Sequence, residues 1–295
     1  MIQEIRIKNY LSFRDEVVLS FEATKDTTFE ESQVVNVTPK VRLLRFALIY
    51  GANASGKSNL LKAMDFLRDF WFDKKSDIDE DTGVVPFLLD TETPNEPSEF
   101  NIKFFVGDKR YWYALVLDDK QVIKEDLYVY NSVQPSLVFS RELDGTASLI
   151  KLNASLVKAN ATIVEQLNVK CLSNMSFFAA RNQVNCSLAY IDEVRDWMKN
   201  NMMPIIEPGT RMFEYAGKQM EKNAELKAYI LDFVHKADYN ITDVYTEREK
   251  VPIPDIVKAT IMEDKDIPEK AKEKMLADNA LERLRTDFQH TVKNK

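Results

Sequence analysis

The sequence predicts an α/β fold built around an apolar strand, a short loop with two glycines and an amphipathic helix. Residues 43–50 form a largely apolar run, which is typical of a strand buried on both faces. Apolar side chains recur at helical spacing after the loop: Leu60, Met64, Leu67 and Trp71. From residue 99 onward, short runs of aromatic and β-branched residues separated by turns predict an antiparallel sheet.

The loop between the strand and the helix fits the pattern of Gly, four residues, Gly, Lys and then Ser or Thr, which binds phosphate. Its residues are Gly51, Ala52, Asn53, Ala54, Ser55, Gly56, Lys57, Ser58 and Asn59. The two glycines let backbone N–H groups approach phosphate oxygens closely. Lys57 offers a compact cation to the outer phosphates, and the Ser58 hydroxyl can bind the Mg²⁺ that they carry. The loop therefore predicts a site for ATP with Mg²⁺, and the strand and helix beside it argue against a chance match.

Composition limits the class of protein. The chain has 295 residues, of which 45% are hydrophobic and 29% charged, as in a globular protein of one large or two modest domains. The net charge of −7 gives no global basic surface, so DNA binding is not supported by charge. No apolar run reaches membrane-spanning length, and the N-terminus lacks a signal-peptide pattern. We therefore expect a cytoplasmic protein without a membrane partner.

The N-terminal residues predict two strands joined by a short connection. Apolar side chains alternate with polar ones in residues 1–8 and again in residues 17–21. Residues 22–40 are polar and turn-prone, which indicates a surface loop before the buried strand.

Two stretches in this order carry a family resemblance. They are Ile5-Arg6-Ile7-Lys8-Asn9-Tyr10-Leu11-Ser12-Phe13 and, about 40 residues later, the Gly51–Asn59 loop. Together they resemble the start of an ABC-class ATPase head, as in the SMC, RecF and OLD-type proteins. The chain is most similar to the bacterial AAA-type ATP-binding proteins of phage-defence and abortive-infection systems, over residues 1–72. Ala54 stands where SMC and RecF heads usually carry Gly, and the Ala form resembles the defence-associated branch.

This resemblance implies a function that the residues alone do not. It implies ATP binding and, in a complete and dimerised protein, ATP hydrolysis by a switch or sensor in phage defence. ATP would lie between two heads of a homodimer, and an effector protein such as a nuclease or toxin would be a further partner. Two alternatives stay open: a RecF- or SMC-like ATPase of DNA repair or chromosomes, and a nucleotide-binding scaffold without turnover.

Two further site residues are implied by the resemblance. Arg14 belongs to the connection that lies near the nucleotide base in this family, and a solvated loop arginine is the alternative. Gln183 lies in a stretch where heads of this class bring a Gln toward the metal and the attacking water. An ordinary polar loop residue is the alternative for Gln183. The catalytic candidates are therefore Lys57 and Gln183.

Residues 76–153 predict an antiparallel β-rich arm. Its strands are expected at residues 100–106, 110–117, 122–130, 137–140 and 147–152. Within it, Ala114–Asp119 imitates a strand that ends in metal-binding acids, but aromatic residues before it and a turn after it favour a hairpin tip. Asp77–Gly83 imitates a calcium loop, but the required Gly and Glu positions are not met, so a solvated acidic loop is favoured.

The rest of the chain is predicted to be mostly helical. Helices are expected at residues 156–167, 191–203, 210–236 and 268–288. We thus expect an ATPase core at 1–75, the arm at 76–153 and a helical subdomain at 154–295. No apolar strand ending in Asp-Glu and no Ser-Gly signature segment follows Lys57. We therefore expect an N-terminal portion of a longer ATPase, which alone binds ATP without efficient hydrolysis.

Overall fold

A computed structural model of the chain describes residues 1–145, 147–210, 212–237, 240–263, 272, 273, 276, 277 and 279–290. The chain divides into two compact units, Met1–Ile205 and Ile206–Lys295. None of the helices in these described stretches is both long and apolar enough to cross a membrane.

A large antiparallel sheet organises the first unit. The strands of this unit are β1 (Ile2–Lys8), β2 (Val17–Ser20), β3 (Val34–Thr38), β4 (Val41–Leu44), β5 (Ser98–Val106), β6 (Lys109–Leu117), β7 (Val122–Tyr130), β8 (Ser136–Asp144) and β9 (Ala147–Leu152). Seven of these described strands form one sheet in the order β2-β1-β5-β6-β7-β8-β9, and β3 pairs with β4 separately. The strands predicted for the N-terminus and for the arm are thus confirmed, and they share one sheet.

One face of this sheet forms the core. Buried and more exposed residues alternate along β1, β5 and β6, because successive side chains of a strand point to opposite faces. Ile5 pairs with Ile102, and Ile102 pairs with Tyr113 on the next strand. All three side chains are fully buried. This contact joins the N-terminal strand to the arm, which lies about 100 residues later in the chain. The division of residues 1–153 into core and arm stays a prediction.

Helices cover the apolar face of the sheet. α1 (Glu30–Gln33) has no buried residue and lies beside β3, so it does not take part; the helices on the sheet are α2 (Lys57–Phe70), α3 (Ala161–Lys170), α4 (Phe177–Arg181) and α5 (Ile191–Asn201). The predicted helix after the loop is confirmed as α2, whose buried residues are Leu60, Ala63, Leu67 and Phe70. Trp71 follows α2 and packs edge-on against Tyr113, with the ring centroids 5.6 Å apart. The helix that begins at the loop is therefore fixed to the sheet.

The predicted buried strand at residues 43–50 is wrong for most of its length. β4 ends at Leu44, and residues 46–50 form no strand. Phe46 is 64% exposed, Leu48 62% and Tyr50 82%. A strand needs backbone partners on its neighbours, and within the described part of the chain no strand pairs with residues 46–50.

Two other boundaries differ from the prediction. Residues 22–40 contain α1 and β3 rather than only a loop, because Val34 and its neighbours pair with β4. The helix expected from residue 156 begins later, after Asn160. The Asn160 side chain accepts a hydrogen bond from the Ile163 N–H at 2.9 Å, which fixes the start of α3.

The second unit combines helices with a two-stranded ribbon. Its elements are α6 (Phe213–Lys222), α7 (Ala224–Lys236), β10 (Ile241–Pro252), α8 (Asp255–Glu263) and β11 (Ala280–His290). The predicted helix 210–236 is interrupted at Asn223, whose side chain accepts from the Leu226 N–H at 3.0 Å and so starts α7.

The C-terminal helix predicted at 268–288 is wrong over residues 280–288. These residues form β11, which pairs with β10 along its whole length in an antiparallel register. The pairing with β10, a strand that the sequence pattern did not predict, outweighs the local helical spacing. Of the remainder of that predicted helix, residues 268–271, 274, 275 and 278 lie outside the described residues.

Candidate phosphate-binding site

The loop at residues 51–56 leads directly into the N-terminus of α2. Gly56 precedes the helix with a φ of 89°, a left-handed conformation that favours glycine. No side chain caps α2, so the first N–H groups of the helix stay available to an anion. The positive end of the helix dipole points the same way, and the loop can therefore attract phosphate.

The two glycines are required by close contacts. A Cβ added to Gly51 would lie 2.6 Å from Ser55 Oγ. A Cβ added to Gly56 would lie 2.8 Å from Ser12 Oγ and 3.0 Å from a ring carbon of Phe13. The loop thus forms a narrow cradle whose backbone is accessible only because these two positions lack side chains.

Ala54 lies in a strained backbone conformation. Its φ is 65°, in the left-handed region that costs a residue with a Cβ about 1 kcal/mol. This is the position where the sequence differs from the Gly that SMC and RecF heads usually carry. The conformation gives a physical reason for a Gly there, and this chain accommodates the strain.

Lys57 is held inside the loop by backbone carbonyls. Its Nζ donates to the carbonyl oxygens of Gly51 at 2.9 Å and Ala52 at 2.6 Å. The ammonium therefore lies over the loop, and no carboxylate in the described residues neutralises it through an ion pair. An anion that enters the loop can share this cation with the two carbonyls.

The concavity at the loop has the size of a partial ligand site. Residues 54–59 line a volume of about 260 Å³, which is below the range of about 300–1,000 Å³ for pockets that enclose a whole small molecule. The concavity is therefore too small to enclose a whole nucleotide and has room for phosphate groups. Ser58 is exposed at this concavity. Its hydroxyl suits Mg²⁺, a hard cation that prefers oxygen ligands, when phosphate oxygens supply the others.

The two residues implied only by resemblance are not brought into the loop. Arg14 is more than half exposed and forms an ion pair with Asp90 at 2.9 Å. Gln183 follows α4, and its Nε2 donates to the Ala179 carbonyl at 3.4 Å. Neither makes a hydrogen bond to residues 51–59 in the part of the chain that the structure covers, and both roles stay predictions.

A buried charge network holds the segment that precedes Gln183. Glu125 and Arg141 form an ion pair of 3.2 Å in which both side chains are almost fully buried. Glu125 also accepts from the Phe177 N–H at 2.7 Å and the Ser176 hydroxyl at 2.8 Å. Burial, followed by the nearby charge of Glu125, raises the pKa of Tyr113, whose hydroxyl donates to Glu125. These contacts fix the start of α4 on the sheet.

This network was not predicted from the sequence, although the strand pattern contained a signal for it. Glu125 and Leu127 are two residues apart in β7, so they share a face of the sheet, and Leu127 is fully buried. A charged residue in phase with a buried apolar residue indicates a buried ion pair. The partner, Arg141, is opposite Glu125 on β8.

Local hydrogen bonding explains the two segments of the arm that resemble metal-binding motifs, Ala114–Asp119 and Asp77–Gly83. β6 ends at Leu117 and pairs antiparallel with β7, so the hairpin interpretation of Ala114–Asp119 is confirmed. The Asp118 carboxylate accepts from the N–H groups of Lys120 and Gln121, both at 2.8 Å, and so stabilises the turn.

In the acidic loop the carboxylates also hold the backbone. Glu80 accepts from the N–H groups of Ser76 and Asp77, both at 2.9 Å. These bonds keep the pKa of Glu80 below its usual value. The described residues contain no group of three or more His, Cys, Asp or Glu side chains that could hold a metal ion.

One comparison with known proteins supports the interpretation of the loop as a phosphate-binding site. Residues 46–151 match a protein-family model described as "AAA domain, putative AbiEii toxin, Type IV TA system". Searches of curated proteins and of solved structures found no match to the chain. The matched region begins before the Gly51–Asn59 loop and includes α2 and the strands of the arm. The match supports an AAA-type P-loop ATPase domain, of the nucleotide-binding kind, in this part of the chain.

Proposed function

We propose that this chain binds ATP with Mg²⁺ at residues 51–59 and acts as an ABC-class ATPase head. One observation carries the proposal. The loop places a glycine cradle, the Lys57 ammonium and the uncapped N-terminus of α2 around one concavity. These are the features that recognise the phosphates of a nucleotide. The family match over residues 46–151 supports the same class of protein.

The residues of the loop have separate tasks in this proposal. Backbone N–H groups and the Lys57 ammonium bind phosphate oxygens, and Ser58 holds Mg²⁺. The bound Mg²⁺ would neutralise negative charge on the phosphates. Transfer of a phosphoryl group to water also needs a residue that orients the water. Gln183 is the candidate for this task, and its hydrogen bond to Ala179 must then be exchanged for contacts at the loop.

A switch in phage defence is the biological role that we favour. The proposal rests on the resemblance of residues 5–13 and 51–59 to defence-associated ATPases and on the match to a family described as a putative AbiEii toxin of a Type IV TA system. In this role ATP would join two heads of a homodimer, and the change in shape would control an effector protein. A RecF- or SMC-like head would instead present a basic face to DNA, which the net charge of −7 does not favour.

A nucleotide-binding scaffold without turnover is the second candidate. The observation that favours it is the position of Gln183, whose side chain bonds to the backbone of α4 and not to the loop. No other water-orienting residue has been assigned. The two candidates differ in phosphate release and share ATP binding.

Magnesium dependence tests the binding site. ATP would be titrated into the wild-type chain and Ser58→Ala by calorimetry, with MgCl₂ or with EDTA. We expect Mg²⁺ to increase the affinity of the wild type and to have a smaller effect on Ser58→Ala, because a metal ligand is lost. Ser155→Ala removes an exposed hydroxyl elsewhere and should behave as the wild type. An unchanged magnesium effect in Ser58→Ala would exclude Ser58 as the ligand.

Phosphate release tests whether this chain turns ATP over. The rate per molecule would be measured over a hundredfold range of protein concentration. A rate that rises with concentration supports a head that works as a dimer and contradicts the scaffold. A rate that stays at the background level, in a protein that binds ATP, is expected both of the scaffold and of the N-terminal portion of a longer ATPase that the sequence predicts.

A further inference from the structure

The turn that joins β1 to β2 lies against the end of the phosphate-binding loop. Asn59 Nδ2 donates a hydrogen bond to Ser12 Oγ at 2.9 Å. Ser12 Oγ is also the atom that a Cβ on Gly56 would meet at 2.8 Å. Over the described stretches of the chain, this is the one hydrogen bond that ties residues 51–59 to a part distant in sequence.

The turn itself is held firmly. Tyr10 and Phe13 exchange two backbone hydrogen bonds of 2.9 and 2.8 Å. The buried side chain of Asn9 donates to the carbonyl oxygens of Thr93 at 2.7 Å and Glu96 at 2.8 Å. Asn9 also has a left-handed φ of 50°, a conformation that persists only where surrounding contacts fix it. The hydroxyl at the tip of this turn therefore has a defined position.

The turn contacts α2 at two levels. Asn59 is the third residue of α2, next to Ser58 and two residues after Lys57. About two turns further along the helix, the Tyr10 ring packs on Phe66 with the centroids 5.8 Å apart. Its hydroxyl donates to the Lys62 carbonyl at 3.3 Å. The aromatic contact fixes the helix, and the Ser12–Asn59 bond fixes the end that carries the phosphate-binding groups.

The loop has few bonds of its own. Apart from the contacts of Lys57, the backbone bond from the Ser55 N–H to the Ala52 carbonyl is long, at 3.3 Å. Its residues 51–55 are exposed. An exposed loop with few internal hydrogen bonds has conformational freedom to lose, and binding then carries the entropic cost of ordering it. The hydrogen bond between Ser12 and Asn59 is a tether that holds the loop from outside, beside Gly56, and lowers that cost.

We propose that Ser12 and Asn59 are positioning residues, which hold the phosphate-binding loop in the conformation that binds ATP. The inference rests on the proposed function, since a defined loop conformation affects affinity only if the loop binds nucleotide. Neither side chain needs to touch the phosphates. Their hydrogen bond keeps Gly56 against the turn and keeps the first N–H groups of α2 directed at the cradle.

A double-mutant cycle tests the pair. Mg-ATP would be titrated into the wild-type chain, Ser12→Ala, Asn59→Ala and the double variant, with the melting temperature of each measured without nucleotide. We expect each single variant to bind Mg-ATP about threefold to tenfold more weakly, the range allowed by one neutral hydrogen bond. The double variant should be no weaker than the weaker single variant, because both changes remove the same bond.

Controls distinguish positioning from general destabilisation. Ser12→Thr keeps a hydroxyl and should restore affinity toward the wild type if that hydroxyl is what matters. Ser155→Ala deletes the matched hydroxyl of an exposed Ser–Asn bond, to Asn153, and should leave affinity unchanged. A purely structural role would lower the melting temperature of Ser12→Ala while the folded protein bound Mg-ATP normally, and this result would overturn the inference.

The remaining outcomes are also decisive. Additive losses in the double variant would show that the two residues act separately, which contradicts a shared tether. Wild-type affinity in both single variants, together with lost affinity in Lys57→Ala, would refute the tether while the proposed function stands. A wild-type chain that does not bind Mg-ATP would refute the proposed function and this inference with it.

Discussion

Both flanks of the phosphate-binding loop carry many apolar side chains, and they differ completely in structure. After the loop, α2 buries Leu67 completely and fixes itself to the sheet. Before the loop, residues 46–50 form no strand, and Tyr50 is 82% exposed. The loop is therefore anchored at its C-terminal end, whereas no strand among the described residues pairs with the segment at its N-terminal end.

The difference follows from how each element satisfies its backbone. A helix pairs its N–H and C=O groups internally, so α2 needs only one covered face to be stable. A strand needs neighbours for its hydrogen bonds, and apolarity alone does not supply them. Residues 46–50 have the side chains of a buried strand and no strand beside them among the residues described.

The largest expected effect is on the free energy of unfolding when one leucine on each side of the loop is replaced by alanine. Leu67→Ala should lower the free energy of unfolding by about 2–5 kcal/mol, because it leaves a cavity under α2. Leu48→Ala, a matched change on the other flank, should alter it by about 0.5 kcal/mol or less, since Leu48 is 62% exposed. Denaturant unfolding of both variants would measure this. Equal losses would mean that residues 46–50 are buried in solution and would break the comparison.

Glycine substitutions sharpen the comparison at the two ends of the loop. Gly56→Ala should destabilise the protein by about 1–3 kcal/mol, because its φ is 89° and the new methyl would press on Ser12 and Phe13. Gly51→Ala should cost less, since the new methyl meets only the terminal Oγ of Ser55, which can rotate away. Thermal or denaturant unfolding would rank the two, and a greater loss in Gly51→Ala would contradict the tighter anchoring at Gly56.

The smallest effect is expected inside the loop. Ala54→Gly should raise the free energy of unfolding by about 0.5 kcal/mol, because relief of the left-handed strain exceeds the added entropy of the unfolded chain. A measured loss of stability would show that Ala54 is not strained in solution. Ala52→Gly, at a loop position without a positive φ, is the matched control and should not gain stability.

Much of the fold could be predicted from local patterns. The aromatic and β-branched runs of β5 to β9, separated by turns, and the apolar stripe of α2 are patterns close in sequence, and the elements that they predict are confirmed. Partners distant in sequence could not be read in the same way. β11 looked helical because its apolar residues fall at helical spacing, and only its pairing with β10 makes it a strand. Residues 46–50 looked like a strand because the pattern does not show whether a neighbour is present.

The candidate site likewise has residues that a local pattern predicts and contacts that depend on residues distant in sequence. Its glycines, Lys57 and Ser58 could be predicted because the motif is contiguous in sequence. The contact of Ser12 with Asn59 joins residues 47 positions apart, and the buried pair of Glu125 and Arg141 joins two strands. Such contacts follow from the register of the sheet and the packing of α2 on it.

One titration tests the central claim most directly. Mg-ATP would be titrated by calorimetry into the wild-type chain, Lys57→Ala and Lys62→Ala. Lys62 is an exposed lysine of the same helix, so it controls for the loss of one positive charge. We predict that the wild type and Lys62→Ala bind with similar affinity and that Lys57→Ala loses most of it, with an unchanged melting temperature. Equal affinity in all three proteins would contradict the assignment of residues 51–59 as the phosphate-binding loop.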